Sequence, residues 1–283
     1  MNESTKKNLL RKSYYVDEVH LLKERPLFSW IDINLTELCN RKCIFCPRVD
    51  EAIYPNQRLH ITEKFIQKIL DELKHINYKG SVVFAGFGEP MLHPELLKLI
   101  SYFKDIRLEV VTNGDILTTK IIKQMIDNGI DLICISMYDG PEQIDKFNIM
   151  FRDAGISEEH YLLRDRWHNE EDNYGLKLTN RAGMINVGIQ DLVDKTKPCY
   201  YPHYSMTIDW NGDVLVCVQD WNKKVKLGNI YAQTLLEVWN GSLMNKYRKK
   251  LGSCDRNIDP CKNCNADGTL HGFNHFKYWS SEK

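Results

Sequence analysis

Phe28-Ser29-Trp30-Ile31-Asp32-Ile33-Asn34-Leu35-Thr36-Glu37-Leu38-Cys39-Asn40-Arg41-Lys42-Cys43-Ile44-Phe45-Cys46 decides how the rest of the chain is read. The first eight of these residues alternate apolar and polar side chains, as a half-buried β-strand does, and run into a loop carrying three cysteines. Three thiolates can hold three corners of a cubic [4Fe–4S] cluster and leave the fourth iron open to a small molecule. The spacing alone leaves a second reading open, a zinc site that draws its fourth ligand from elsewhere.

Outward from this stretch, strand and helix signals alternate. Thr62 is placed to cap a helix whose apolar positions Phe65, Ile69, Leu73 and Ile76 recur three or four residues apart. Ser81 to Ala85 reads as a strand, and a helix follows from about Pro94 through Leu97, Ile100 and Phe103. Leu108 to Thr112 is the next strand, and Thr119 to Asn128 a helix ended by Gly129. Ile130 to Met137 is a nearly continuous apolar run, as expected of a parallel strand covered on both faces; Pro141 to Phe151 is helical and Tyr161 opens another strand. The pattern predicts an α/β fold, a partial (β/α)6 TIM-like barrel over residues 28–190, with its chemistry at the strand C-termini where Cys39 and Gly86 fall. Residues 1–27 form a helical or loosely ordered N-terminal extension. Residues 191–283 form a smaller second module, with a β-hairpin turning at Asn211-Gly212 and one amphipathic helix through Leu235, Trp239, Met244 and Tyr247.

Lys plus Arg and Asp plus Glu are 38 each, so the chain of 283 residues is formally neutral. That argues against general nucleic-acid binding and against a polybasic membrane anchor. Hydrophobic residues at 43% argue against wholesale disorder. Met1 to Lys12 is polar and lacks an apolar signal core, and runs such as Leu132 to Met137 are too short to cross a bilayer, so a cytoplasmic setting is expected. Thiols stay reduced there, which turns nine cysteines toward metal ligation or catalysis. Cys199, Cys217, Cys261 and Cys264 form a second set able to enclose either a [4Fe–4S] cluster or zinc. Cys134 reads as a small buried hydrophobe, Cys254 as a spare thiol, and the charge run Asp165 to Asp172 as a solvated loop.

The motif Cys39-x-x-x-Cys43-x-Phe45-Cys46 resembles the signature of the radical S-adenosylmethionine (SAM) superfamily, and Gly86-Phe87-Gly88-Glu89-Pro90 resembles that family's Gly-Gly-Glu-Pro motif, with Phe87 replacing a glycine. The resemblance implies a [4Fe–4S] cluster on Cys39, Cys43 and Cys46 whose open iron binds SAM. It implies Phe45 beside the adenine, Gly88 and Glu89 at the SAM ammonium, Thr112 and Asn113 near the ribose, and Ser136 among the SAM contacts. The C-terminal cysteines, with the Gly228-Asn229 turn, resemble the shortened "twitch" form of the SPASM auxiliary-cluster domain. This implies an auxiliary [4Fe–4S] cluster on Cys199, Cys217, Cys261 and Cys264. Arg181, in Leu178-Thr179-Asn180-Arg181, is similar to an active-site arginine of relatives and is the expected catalytic side chain. The plan is similar to that of family members that dehydrogenate aminocyclitols. It implies a 5′-deoxyadenosyl radical that abstracts hydrogen from a carbinol carbon of a sugar or cyclitol, with the auxiliary cluster accepting an electron to give a ketone. A flavodoxin or ferredoxin-type protein would be the electron donor. A peptide-modifying maturase, an epimerase that returns hydrogen from Cys254, and a zinc-binding interaction module are the rival readings.

Overall fold

The computed structural model describes residues 3–167, 179–186 and 194–281. Trp30–Ile33 forms the first strand of the main sheet, β1, and its alternation sorts two faces. Ile31 and Ile33 enter the hydrophobic core beneath the helices, while Trp30 and Asp32 face the inner cavity. Parallel strands follow in sequence: β2 (Ser81–Phe84), β3 (Leu108–Thr112), β4 (Leu132–Met137) and β5 (Tyr161–Asp165). Every residue of β1, β2 and β4 is buried, which accounts for their nearly unbroken apolar sequences.

The connecting helices are α2 (Glu63–His75), α3 (Leu96–Ser101), α4 (Thr119–Asp127) and α5 (Glu142–Ala154). Thr62 caps α2 as expected, its side chain accepting from the Phe65 N–H, and Thr118 caps α4 in the same way through Ile121. Phe65, Ile66, Ile69, Leu70 and Leu73 of α2 are all buried against the sheet, at about 1.5–3 kcal/mol apiece.

The hairpin does not stand apart as a module. Its first strand, β6 (Ser205–Ile208), lies parallel to β1 in the register Trp30 to Ser205 through Ile33 to Ile208. β7 (Asp213–Leu215) and β8 (Lys226–Asn229) then add antiparallel, giving one eight-stranded sheet in the order β8-β7-β6-β1-β2-β3-β4-β5. The expected boundary near residue 190 lies outside the described residues, and the sheet runs across it. Of the six parallel strands among the described residues, five belong to residues 28–167 and the sixth is the hairpin strand β6.

One other expectation needs correction. The single C-terminal helix is two, α7 (Leu235–Trp239) and α8 (Ser242–Gly252), with α6 (Tyr201–Tyr204) before β6 and α9 (Phe273–Ser281) after them. Asn240 ends α7 and Gly241, with extended backbone, starts α8, so the apolar periodicity passes through a break. Of the two forms expected of the N-terminal extension the helical one is observed: Glu3–Val16 is a helix, α1. Ser4 Oγ donates to the Leu163 carbonyl and accepts from the Asp165 N–H, which seats α1 on the edge strand β5. From the charge run, Asp165, Arg166 and Trp167 are described, and residues 168–172 are not. No helix among the described residues is long and apolar enough to cross a membrane.

Candidate functional site

β1 ends at Ile33, and the loop beyond it is organised by buried polar groups. Asn34 Oδ1 accepts from the backbone N–H groups of Phe87 (3.0 Å) and Gly88 (3.2 Å), and its Nδ2 donates to Asp209 Oδ1 at 2.7 Å. Glu37 pairs with Arg48 at 2.7 Å and also with Lys223, which in turn holds Asp209. One network therefore joins the three-cysteine loop, the loop after β2 and the hairpin tip. Glycine is needed where these loops touch: a Cβ on Gly88 would stand 2.1 Å from the Thr36 carbonyl oxygen.

Asn56 then clamps the loop's start, accepting from the Cys39 N–H and donating to the Cys39 carbonyl. Arg41 ties the loop across to Asp115 and Asp139, which follow β3 and β4. Cys39, Cys43 and Cys46 are half-buried, and all three line one cavity of about 370 Å³ inside the sheet. Phe45, Gly88, Glu89, Thr112, Asn113, Ser136 and Arg181 line the same cavity, so the expected N-terminal site residues are brought together. Phe45 stands against Tyr138, with ring centroids 5.5 Å apart.

Glu89 is 3% exposed, and both its oxygens are engaged. Oε1 accepts from Thr112 Oγ1 at 2.7 Å and the Met91 N–H at 3.0 Å, and Oε2 accepts from the Asn113 N–H at 2.8 Å. Burial pushes its carboxyl up to about 7 against those hydrogen bonds. The carboxylate thus fastens the loop after β2 to the loop after β3. Asn113 uses its side chain on Asn40, and Ser136 Oγ accepts from Arg164 at 2.5 Å.

The other four expected cysteines line a second cavity with Tyr201, Gln219 and Arg256. Gly268 keeps that space open, since a Cβ there would stand 2.3 Å from Cys199 Sγ. Burial, reinforced by neighbouring thiols, pushes Cys43 up to about 12; Cys199 is raised to about 11 by burial first, and Cys217, Cys261 and Cys264 are raised as well. Iron would reverse this by taking thiolates and releasing protons. All seven thiols are free, and among the described residues no three Cys, His, Asp or Glu side chains close on a single point. They wall two cavities instead, with three thiols in one and four in the other, the donor numbers of an open and a closed [4Fe–4S] site, so the donor set fits two iron–sulfur clusters. Cys254 lines neither cavity and Cys134 is buried in β4, outside both sets.

Strand direction separates the two thiol sets. Cys39 follows the C-terminal end of β1, whereas Cys199 precedes β6 and Cys217 follows the antiparallel β7, both at the N-terminal end of β1. They therefore lie beyond opposite ends of β1, a strand whose four residues span roughly 13 Å. Between them Tyr201 lines both cavities.

Sequence reading missed the residues that line this middle region. Arg11 and Lys12 of α1 reach inside the sheet; Arg11 pairs with the fully buried Glu109 of β3. Lys12 Nζ lies over the rings of Trp30 (4.6 Å), Tyr204 (5.0 Å) and Tyr201 (5.6 Å), and faces Asp32. Burial lowers the Lys12 ammonium to about 8 and raises Asp32, each partly offset by the other. The signal was present: Asp32 and Glu109 are carboxylates inside buried strands, and such groups need cations from elsewhere.

Residues 33–162 match the radical SAM superfamily, and residues 199–265 match the SPASM iron–sulfur cluster-binding domain. A curated relative from Niallia circulans, S-adenosyl-L-methionine-dependent 2-deoxy-scyllo-inosamine dehydrogenase, is 27% identical over 245 residues, spanning 84% of this chain and 93% of the relative. The crystal structure of BtrN in complex with AdoMet and 2-DOIA superposes with a TM-score of 0.74 at 24% identity, covering 88% of this chain and 98% of that one. AdoMet-bound anSMEcpe gives 0.53 at 14% identity, covering 90% and 92%. These two structures speak for the fold.

Proposed function

We propose that this chain, which belongs to the radical SAM superfamily and carries a SPASM iron–sulfur domain, oxidises a carbinol carbon of a sugar or cyclitol to a ketone. The observation that carries the reading is Tyr201, a single side chain shared by the walls of a three-thiol cavity and a four-thiol cavity. A reaction that removes electrons from a substrate in one cavity needs an acceptor close by, and the second set of thiols is one side chain away.

Cys39, Cys43 and Cys46 would hold a [4Fe–4S] cluster with one iron open to SAM, and Cys199, Cys217, Cys261 and Cys264 would hold the auxiliary cluster. When bound, these groups supply a 5′-deoxyadenosyl radical that takes a hydrogen atom from the carbinol carbon and an acceptor for the second electron, while the hydroxyl proton leaves separately. The residues of the chain do the positioning. The loop held by Asn34 and Glu89 presents its backbone to SAM, with Phe45 at the adenine and Thr112, Asn113 and Ser136 along the remaining contacts. Arg181, whose Nε has no acceptor among the described residues, offers a fixed donor to a substrate hydroxyl. Asp32 accepts the hydroxyl proton, since its raised carboxyl pKa suits it to hold one, and Lys12 keeps its charge in balance before that transfer. The nine free thiols fit the reducing cytoplasm, and a flavodoxin or ferredoxin-type protein fits the need for an electron donor.

The test is anaerobic reconstitution, then incubation with SAM, dithionite and 2-deoxy-scyllo-inosamine or related cyclitols and sugars. The expected result is 5′-deoxyadenosine above the substrate-free level, matched by a ketone two mass units lighter than the alcohol. Zinc in both thiol sites, with no SAM cleavage, would overturn the reading.

A further inference from the structure

The four-thiol cavity has one charged residue in its described lining, Arg256. The side chain is 6% exposed, which is uncommon for arginine unless something compensates it. Its Nη1 donates to the Ala266 carbonyl at 3.1 Å, fixing the guanidinium against the turn in which the Ala266 N–H approaches Cys264 Sγ at 3.3 Å. Its Nε is buried and has no hydrogen-bond acceptor among the described residues. A buried N–H without a partner is costly and normally finds one.

We propose that Arg256 sets the reduction potential of the auxiliary cluster, placing a fixed positive charge and the free Nε–H against its sulfurs. The inference rests on the reading of these four cysteines as iron–sulfur ligands. Cluster potentials follow net charge, hydrogen bonds to the sulfurs and solvent exposure. An arginine in a closed cavity acts through the first two at once, and both stabilise the cluster that carries the extra electron. Arg256 therefore makes the cluster a better electron acceptor, which is what oxidation of a substrate in the adjoining cavity asks of it. Among the described residues of that lining only Arg256 combines the two, because Tyr201 and Gln219 can donate a hydrogen bond but carry no charge and the rest are apolar or thiols.

The experiment uses the whole chain with Cys39, Cys43 and Cys46 replaced by alanine, so that one cluster remains to be read. Arg256→Met removes charge and donor together; Arg256→Lys keeps the charge and removes the Nε–H. Iron and sulfide are counted per chain after anaerobic reconstitution, and the potential is taken from an EPR-monitored redox titration. The expected result is full loading in at least one variant with a lower potential. For Arg256→Met the ratio of reduced to oxidised cluster at a fixed poise falls tenfold or more, which for one electron is about 59 mV. The shift for Arg256→Lys is smaller and of the same sign. A loaded Arg256→Met cluster with the parent potential would overturn the inference. So would failure of both variants to hold iron, since Arg256 would then be a support of the fold. If the parent binds zinc in place of iron and sulfide, the iron–sulfur reading itself fails and the inference goes with it.

Discussion

Replacing Gly268 by alanine tests the auxiliary site through a single methyl group. The added Cβ would lie 2.3 Å from Cys199 Sγ and 2.7 Å from Cys199 Cα. Comfortable contact between such atoms is about 3.5 Å or more, so the shortfall is roughly 1 Å. Rotating the thiol relieves only the first clash, because the second involves backbone. The backbone is itself held, with the Tyr200 N–H donating to the Gly268 carbonyl at 2.9 Å and the Cys199 N–H to the Leu251 carbonyl at 3.0 Å. Overpacking of this kind costs about 1–3 kcal/mol, which a chain of this size survives. A metal ligand does not tolerate it, since metal–ligand distances hold to within about 0.2 Å. Gly268→Ala should therefore fold, load the Cys39, Cys43 and Cys46 site, and lose the auxiliary cluster. Iron and acid-labile sulfide per chain should fall to about half of the parent, one [4Fe–4S] cluster in place of two. SAM cleavage without substrate should persist, while ketone formation is lost. Parent levels of iron, sulfide and ketone in Gly268→Ala would refute the placement of Cys199 at this site.

Other perturbations reach other parts of the site. Glu89→Ala strips the acceptor from Thr112 Oγ1 and from the Asn113 and Met91 N–H groups, at about 1–3 kcal/mol for each buried group left unpaired. SAM affinity, measured by equilibrium binding to the reconstituted protein, should drop at least tenfold, and unchanged affinity would count against the two-loop clamp. Lys12→Met keeps the stem among Trp30, Tyr201 and Tyr204 but removes the charge facing Asp32. Substrate-dependent 5′-deoxyadenosine should fall tenfold or more while the substrate-free background holds, because Lys12 lies near the N-terminal end of β1 and the SAM loops at its C-terminal end; equal loss of both would sink that assignment. His203 and His275 are buried neutral, held down to about 3 and about 4 mainly by burial. A lowered histidine pKa gives stability that is complete above about pH 6.5 and is lost as the pH falls through the folded value. His275 alone is worth about 3 kcal/mol, so the urea midpoint should fall steeply between pH 6.5 and 4, less steeply in His275→Gln, and a flat profile would contradict the burial argument.

The parts of the molecule that a sequence states directly are those governed by local rules. β3 begins and ends where its alternation does, at Leu108 and Thr112, and Thr62 caps α2 because a hydroxyl before an apolar periodic run has one good use there. Cys39, Cys43 and Cys46 were legible because their spacing is itself the geometry of a site. Parts decided by remote partners were hidden. Arg11 and Lys12 look like ordinary solvent-facing residues of a polar helix until the strand carboxylates Glu109 and Asp32 are set beside them, and Glu109 stands 98 residues from Arg11 along the chain. Asn34 looked like the end of a strand; its hold on Phe87, Gly88 and Asp209 depends on three loops meeting. The break between α7 and α8 was masked because five residues on one side and eleven on the other keep the same apolar face inward.

The joining of β6 to β1 has a consequence for the two-site reading. A separate cluster domain on a linker could approach or leave the barrel, and the path between the two sets of thiols would vary with it. Here the hairpin is paired in register, Trp30 with Ser205 through Ile33 with Ile208, and each strand is buried on both faces. A slip by one residue would exchange the faces of Met206 and Thr207, putting a hydroxyl where the core holds a thioether, so the register is strongly held. The N-terminal end of β6 then leads back through α6 to Cys199, with Tyr201 between, while the C-terminal end of β1 leads forward to Cys39. The two thiol sets are therefore tied to opposite ends of paired strands, and Trp30, Asp32 and Tyr201 line the cavity along those strands. A carbinol bound in that cavity would lie between the two thiol sets, whose relative placement the pairing of β6 with β1 fixes.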